Sequence, residues 1–185
     1  MRVKGTAYHA RLNLLRSKWG EEKVAAFLKG FHERHPSFPR KVLATTWMPA
    51  DEFLKLNDAI VDEVYDGDDE SLWELGEASA AWTLKDGPYK NLLETRDTRR
   101  FANLAKVMYA NFFDTGSARS DYQPERVDLW IEGIPDGLQH LYFEYSVVGY
   151  FRRGLELLGE TVRSECVEGF SKGDPRVFYK LHLGS

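Results

Sequence analysis

The feature that most constrains the fold is a long amphipathic pattern between residues 138 and 158. Large apolar residues recur there every three or four positions over about six turns, and Gly159 follows as a helix-ending residue. Such spacing places these side chains on one face of an α-helix, and that face must be covered by other parts of the chain. We therefore predict one long C-terminal helix. Its buried stripe consists of Leu138, Leu141, Tyr145, Val148, Phe151, Leu155 and Leu158.

Strand-like segments flank this helix on both sides. Residues 126–134 alternate apolar and polar side chains, which is the period of a half-buried strand. After the helix, residues 161–167 are rich in strand-forming residues, residues 171–175 form a turn cluster and residues 177–183 alternate again. The pattern predicts a strand, the long helix and then a terminal β-hairpin.

The preceding part of the chain is predicted to be mainly helical. Apolar residues at helical spacing between residues 8 and 34 indicate two helices separated at Gly20. Residues 41–48 have the composition of a short strand or an extended segment. Three further helices are predicted, each opened by residues that favour a helix N-terminus. They begin near Ala50, Ser71 and Asp97.

Length and composition favour a single domain over residues 1–185, without repeats or a shift in composition. Hydrophobic residues make up 43% of the chain and aromatic residues 14%, so we expect an aromatic core. The predicted fold class is α+β, with N-terminal helices packed on a small antiparallel sheet, a long C-terminal helix and a terminal β-hairpin.

Charge and cysteine content limit the partners. The 25 basic and 29 acidic residues give a net charge of −4, which offers no global attraction to nucleic acid or to an anionic membrane. No apolar run is long enough to span a bilayer. The single cysteine, Cys166, is compatible with a reducing compartment. We expect a cytoplasmic protein without a membrane span.

Several residue groups suggest chemistry but lack the pattern that it needs. The acidic run at residues 66–70 lacks the ligand spacing of an EF-hand and is better explained as a solvated turn. His32 and His35 could face one way at a helix end, but no third metal ligand accompanies them. The chain contains no Gly-x-Ser-x-Gly motif, no P-loop and no Gly-x-Gly-x-x-Gly motif. The sequence therefore predicts no enzyme activity and no metal site.

The C-terminal motifs carry a family resemblance. The strand, the long helix containing Gly149-Tyr150, and the hairpin with Glu165-Cys166 and Gly173-Asp174-Pro175 resemble small-molecule-binding domains of the 4-vinyl-reductase type. That fold is similar to haem nitric-oxide-binding domains and to subunits of the transport-particle (TRAPP) complex. With its Val3-Lys4-Gly5 start and Thr46-Trp47-Met48-Pro49, the whole chain also resembles an uncharacterised paralogous family found mainly in myxobacteria.

The chain departs from both cofactor sites that this resemblance implies. In zinc-containing members the hairpin supplies cysteines on either side of the turn, whereas here Cys166 matches the first cysteine and Val177 occupies the position of the second. Haem-binding members carry a histidine on a central helix, and residues 101–109 contain none. Met108 or Tyr109 could in principle ligate iron but fit better as core residues. The Tyr-x-Ser-x-Arg motif is also absent. We expect no cofactor.

Two functions remain open, and neither is enzymatic. The first is a sensing or regulatory domain with an apolar pocket for a small apolar or aromatic ligand. The second is a protein-interaction module that forms a homodimer or binds a signalling partner through helices. Aromatic abundance cannot separate a lined pocket from a packed core. The residues predicted to line the pocket are Trp82, Tyr109, Phe112, Tyr145 and Phe151.

A cluster of arginines is the remaining candidate for a partner or an anionic ligand. Arg96, Arg99 and Arg100 lie close together before Phe101. Solvated surface charge explains the same cluster without a ligand and is the interpretation that we favour.

Overall fold

The computed structural model describes residues 1–85 and 89–184. Its first two helices are α1 (Gly5–Trp19) and α2 (Glu21–Arg34). The predicted break between them is confirmed, because Gly20 has a φ of 82°, a backbone conformation that favours glycine.

The segment at residues 41–48, predicted as a short strand or an extended segment, is mostly loop. Only Trp47–Pro49 (β2) is extended, and it pairs antiparallel with Arg2–Lys4 (β1) in a two-stranded sheet. The preceding residues turn back against the start of α1, where the amide of Gly5 donates to the carbonyl of Thr46 over 2.7 Å. The carbonyl groups of Ala44 and Thr46 thus accept hydrogen bonds from the start of α1 and not from a neighbouring strand.

The predicted helices near Ala50 and Ser71 are confirmed. They are α3 (Ala50–Val64) and α4 (Ser71–Lys85), and both bury an apolar face. A short helix, α5 (Lys90–Thr95), was not predicted, because six residues are too few to show a helical period.

The helix predicted at Asp97 is confirmed at its start and divided further on. The Asp97 carboxylate accepts a 2.8 Å hydrogen bond from the amide of Arg100, as an N-cap residue does. The segment then forms α6 (Thr98–Asn103) and α7 (Ala105–Ala110), which meet at Leu104.

The second sheet has four antiparallel strands in the order β3-β4-β6-β5. They are β3 (Ser117–Gln123), β4 (Arg126–Glu132), β5 (Thr161–Glu168) and β6 (Val177–Gly184). The predicted strand at β4 and the hairpin of β5 and β6 are confirmed. Strand β3 was not predicted, because polar residues dominate its sequence.

The predicted long helix is present but starts later and contains an irregular turn. It begins at Leu141 and passes through a π-helical turn (Phe143–Val147) into α8 (Val148–Leu157). We call Leu141–Leu157 the C-terminal helix. A π-turn holds more residues than an α-turn, so side chains before and after it do not share one stripe. Gly159 ends the helix as predicted, with a φ of 109°.

Helix α4 and the C-terminal helix approach each other unusually closely. A Cβ added at Gly76 would lie 2.0 Å from the carbonyl oxygen of Ser146, and one at Gly149 would lie 3.0 Å from that of Trp73. At Gly76 only glycine permits this approach, and at Gly149 a Cβ would make an unusually tight contact. The close approach brings side chains of both helices into one interior region. None of the helices in residues 1–85 and 89–184 is long and apolar enough to cross a bilayer.

Candidate functional site

A small cavity lies between α1, α4, the C-terminal helix and the segment 105–113, which consists of α7 and the residues that follow it. We call this segment the α7 region. The volume of the cavity is about 30 Å³. A cavity that holds a single water molecule has a volume of roughly 10–15 Å³. The present cavity therefore has room for a ligand of about two or three non-hydrogen atoms. Its wall is mainly apolar, as in most small-molecule sites. The aromatic wall residues are Tyr109, Phe112, Phe113, Tyr142, Tyr150 and Phe151.

Three of the five residues predicted to line a pocket lie in this wall. Tyr109 belongs to α7, Phe112 follows that helix, and Phe151 belongs to α8. The structure therefore brings together the middle of the chain and the C-terminal helix, as the sequence suggested. Contact of these three side chains with a ligand stays a prediction.

The other two predicted residues lie away from the cavity wall. Trp82 is 37% exposed, because the buried face of α4 is formed by Ser79 and Thr83 instead. Tyr145 lies in the π-helical turn, which rotates it out of the predicted stripe, and it stacks on Trp73 with 5.4 Å between ring centroids. The prediction of Trp82 and Tyr145 rested on hydrophobicity alone, whereas the cavity wall is formed at these places by Ser79, Ser146 and Val147.

The cavity wall also contains a charged residue, Arg11, that was not predicted. Arg11 of α1 is 2% exposed, and its guanidinium binds four oxygens from three other helical segments. Its Nε donates to Asn57 Oδ1 over 3.0 Å, and its Nη2 donates to Ser146 Oγ over 2.8 Å. Its Nη1 donates to Ser79 Oγ over 2.8 Å and to the carbonyl of Leu75.

A sequence signal for Arg11 existed. Positions 8, 11, 12 and 15 lie on one helical face, and Tyr8, Leu12 and Leu15 are buried there. A basic residue on an otherwise apolar face is a candidate for an interior polar network.

The electrostatics of the cavity follow from burial. Burial lowers the pKa of the Arg11 guanidinium, an effect that the nearby Tyr142 partly offsets. Burial also raises the pKa of Tyr142, whose ring centroid lies 5.5 Å from Arg11 Cζ, within range of a cation–π interaction. Both residues keep their ordinary protonation states near neutral pH, so the wall carries one positive charge beside neutral phenols.

Two tyrosine hydroxyls of the wall are held by protein partners. Tyr109 donates to the carbonyl of Thr115 over 3.0 Å, and the Tyr150 hydroxyl forms a 3.0 Å hydrogen bond with Thr83 Oγ1. Burial raises the pKa of both phenols. These bonds fix the rings, so the cavity has a defined shape.

A haem does not fit this interior. The cavity is far smaller than the 300 Å³ or more of typical cofactor sites, and the Arg11 network and aromatic rings fill the space around it. None of the five histidines lines the described cavity. His140 instead lies 2.9 Å from Asp58, and His182 lies 2.7 Å from Glu165. Met108 and Tyr109 are core residues with no space for a macrocycle beside them.

The remaining candidate residues have packing or surface positions. His32 and His35 pack on Phe31, with centroid distances of 6.0 and 4.5 Å. Cys166 is half-buried in the hairpin, opposite Tyr179. In residues 1–85 and 89–184 no three histidine, cysteine or carboxylate side chains come together as metal ligands. The arginines of the predicted cluster are all exposed, and a role for them stays a prediction: Arg96, Arg99 and Arg100.

Comparison with known proteins shows similarity at the level of fold. No family model matches the sequence, and no curated protein is significantly similar to it. An H-NOX protein from S. oneidensis in the Fe(II)NO ligation state superposes with a TM-score of 0.76 and 8% identity, over 98% of this chain and 99% of that one.

A mutant H-NOX protein from K. algicida, solved as the unliganded Fe(II) form, gives a TM-score of 0.73 and 13% identity, over 98% of this chain and 97% of that one. These similarities confirm the predicted α+β class and its haem nitric-oxide-binding type of architecture. The resemblances to 4-vinyl-reductase-type domains, to TRAPP subunits and to a myxobacterial family stay predictions. The chain therefore has the H-NOX fold. Its interior contains Arg11 and a small cavity, and it has no room for a haem.

Proposed function

We propose that this chain is a single non-catalytic sensing or regulatory domain that binds a small molecule directly, without haem, in the cavity beside Arg11. The observation that carries the proposal is the cavity itself, which lies among four helical segments of an H-NOX-type fold. The H-NOX protein from S. oneidensis binds nitric oxide on iron in its Fe(II)NO state. We infer that the present chain keeps the binding function of the fold and takes its ligand without the iron.

The size of the cavity narrows the ligand. An aromatic ring needs a cavity of roughly 150 Å³, whereas this one measures about 30 Å³. The proposed ligand is therefore smaller than the aromatic compound that the sequence suggested, and contains about two or three non-hydrogen atoms.

The position of the cavity suggests how binding would be transmitted. Its wall belongs to α1, α4, the α7 region and the C-terminal helix, and Arg11 links three of these segments. A ligand that favours one packing of these helices shifts the population towards that packing. Regulation of a partner in the cytoplasm would follow from such a shift.

Nuclear magnetic resonance under xenon pressure tests the proposal. Xenon enters apolar cavities without specific chemistry, so we expect saturable shifts at the amides of Ser79, Met108 and Ser146. The Ala7→Val variant adds two methyl groups to the cavity wall and should abolish these shifts. Ala25→Val, on the exposed side of α2, is the matched control. Equal xenon responses in wild type and Ala7→Val would contradict the proposal.

A second candidate function is a protein-interaction module that associates through helices. The observation that favours it is Trp82, a tryptophan on α4 that is 37% exposed. Under this alternative, light scattering after size-exclusion chromatography gives the mass of two chains, and Trp82→Lys restores the mass of one. A wild-type mass of one chain at high concentration would count against self-association.

A further inference from the structure

The cavity wall contains a buried positive charge without a buried negative partner. Among the described residues the hydrogen-bond partners of Arg11 are neutral oxygens, those of an amide side chain, a backbone carbonyl, two serine hydroxyls and the Tyr142 phenol. Within residues 1–85 and 89–184 no carboxylate lies within 4 Å of its guanidinium nitrogens, and the cavity wall contains neither aspartate nor glutamate. A guanidinium stays protonated in proteins, so the charge remains.

Such a charge is costly unless something offsets it. Burying an ion without a partner of opposite sign disfavours the folded state far more than burying a methionine of similar length. Neutral hydrogen bonds and the ring of Tyr142, 5.5 Å from Arg11 Cζ, recover part of this cost. A counter-ion in the adjoining cavity would recover more, and the structure provides space for one there.

The hydroxyl of Ser146 adds a hydrogen-bond donor beside this positive charge. Arg11 has five N–H groups: four donate to Asn57, Leu75, Ser79 and Ser146, and the Tyr142 hydroxyl is close enough to hydrogen-bond with the guanidinium as well. Ser146 Oγ accepts from Arg11 and donates to no acceptor among the described residues, although the side chain is 2% exposed. The wall thus offers donors and positive charge to whatever enters, which selects an anion over a cation.

We infer that the cavity binds a small monovalent anion of one to three non-hydrogen atoms, held by Arg11 and Ser146. This inference rests on the proposed ligand-binding function and names the ligand class for the same cavity. The volume of the cavity, about 30 Å³, is too small for sulfate and for larger oxyanions. Nitrite, azide and bromide have a suitable charge and size and serve as probes.

The test is a titration of the full chain with sodium nitrite, azide or bromide, followed through the Arg11 Nε–H resonance and the amides of Ser79 and Ser146. Sodium sulfate at matched ionic strength is the control. We expect saturable shifts with the small anions and none with sulfate. Arg11→Met should weaken binding by about tenfold or more, the loss expected for one charged hydrogen bond. Arg16→Met, at a partly exposed position on the same helix, should leave it unchanged.

A second variant keeps the inference testable if Arg11→Met does not fold. Ala7→Val retains Arg11 and fills the cavity, so anion binding should be lost. Anion shifts that persist in this variant would place the anion elsewhere and overturn the inference. The xenon experiment separates the two proposals. Xenon binding without anion binding would refute only the inference that the ligand is an anion. If neither xenon nor an anion binds, the proposed ligand-binding function is refuted as well.

Discussion

Replacement of Gly76 by alanine tests the close helix contact that shapes the cavity. Alanine is a better helix former than glycine by about 1 kcal/mol, so propensity alone predicts a gain in stability. In the structure, however, the new Cβ would lie 2.0 Å from the backbone oxygen of Ser146. Backbone cannot rotate away as a side chain can, so α4 and the C-terminal helix would have to separate by roughly 1 Å or more.

The two effects differ enough in size to fix the sign. Overpacking of a core typically costs about 1–3 kcal/mol, and a rigid backbone contact belongs at the upper end. Separation of the helices also stretches the Arg11 bonds to Ser79 and Ser146. After subtraction of the propensity gain, we expect Gly76→Ala to lower the free energy of unfolding by about 2 kcal/mol or more. In a domain of this length that is a fall in Tm of roughly 4–8 °C.

Urea denaturation followed by far-UV circular dichroism measures this difference. Gly30→Ala is the matched control, because Gly30 also lies inside a helix, but its added Cβ would meet only the movable Arg34 side chain at 3.2 Å. We expect Gly30→Ala to raise stability by up to about 1 kcal/mol. A Gly76→Ala variant as stable as wild type, or more stable, would refute the helix contact and the cavity geometry that depends on it.

Three further outcomes are expected. A hydrogen bond from Arg2 lowers the pKa of Asp114 to about 2, so Asp114→Asn should lower Tm at neutral pH, and the deficit should vanish as the pH falls from about 4 towards 2, where wild-type Asp114 also becomes neutral; a deficit independent of pH would refute this. Thr83→Val removes the partner of the buried Tyr150 hydroxyl and should cost about 1–3 kcal/mol in urea denaturation. The added change Tyr150→Phe should restore part of that stability, and purely additive losses would refute the coupling. Titration with haemin should give no saturable shift of the Soret band. One-to-one binding of haemin would contradict the conclusion that the interior has no room for haem.

Much of the fold could be predicted because its elements carry a clear period. The helices beginning at Ala50 and Ser71 and the hairpin of β5 and β6 follow apolar spacing closely. Elements of three or six residues, such as β1 and α5, are too short to show a period. Strand β3 is set by pairing with β4, and its own polar sequence does not reveal it.

The candidate site was only partly predictable for two physical reasons. The π-helical turn shifts the face of the C-terminal helix, which turns Tyr145 outward, and no apolar spacing reports such a turn in advance. Burial of polar side chains depends on partners far along the chain, so the place of Ser146 followed from no local pattern, and the apolar face of α1 marked Arg11 only as a candidate without naming its partners. Tyr109, Phe112 and Phe151 could be found because large apolar side chains near the long helix fill the interior regardless of such details.

The interior of this H-NOX-type fold holds a cavity of about 30 Å³ beside Arg11, which is too small for haem. Crystals pressurised with xenon test it most directly, because the anomalous signal of xenon locates an accessible cavity without an assumption about the natural ligand. We predict a xenon peak among Met108, Phe112 and Tyr142, close to Arg11. A porphyrin in that region, or an interior with no xenon between these side chains, would contradict the claim.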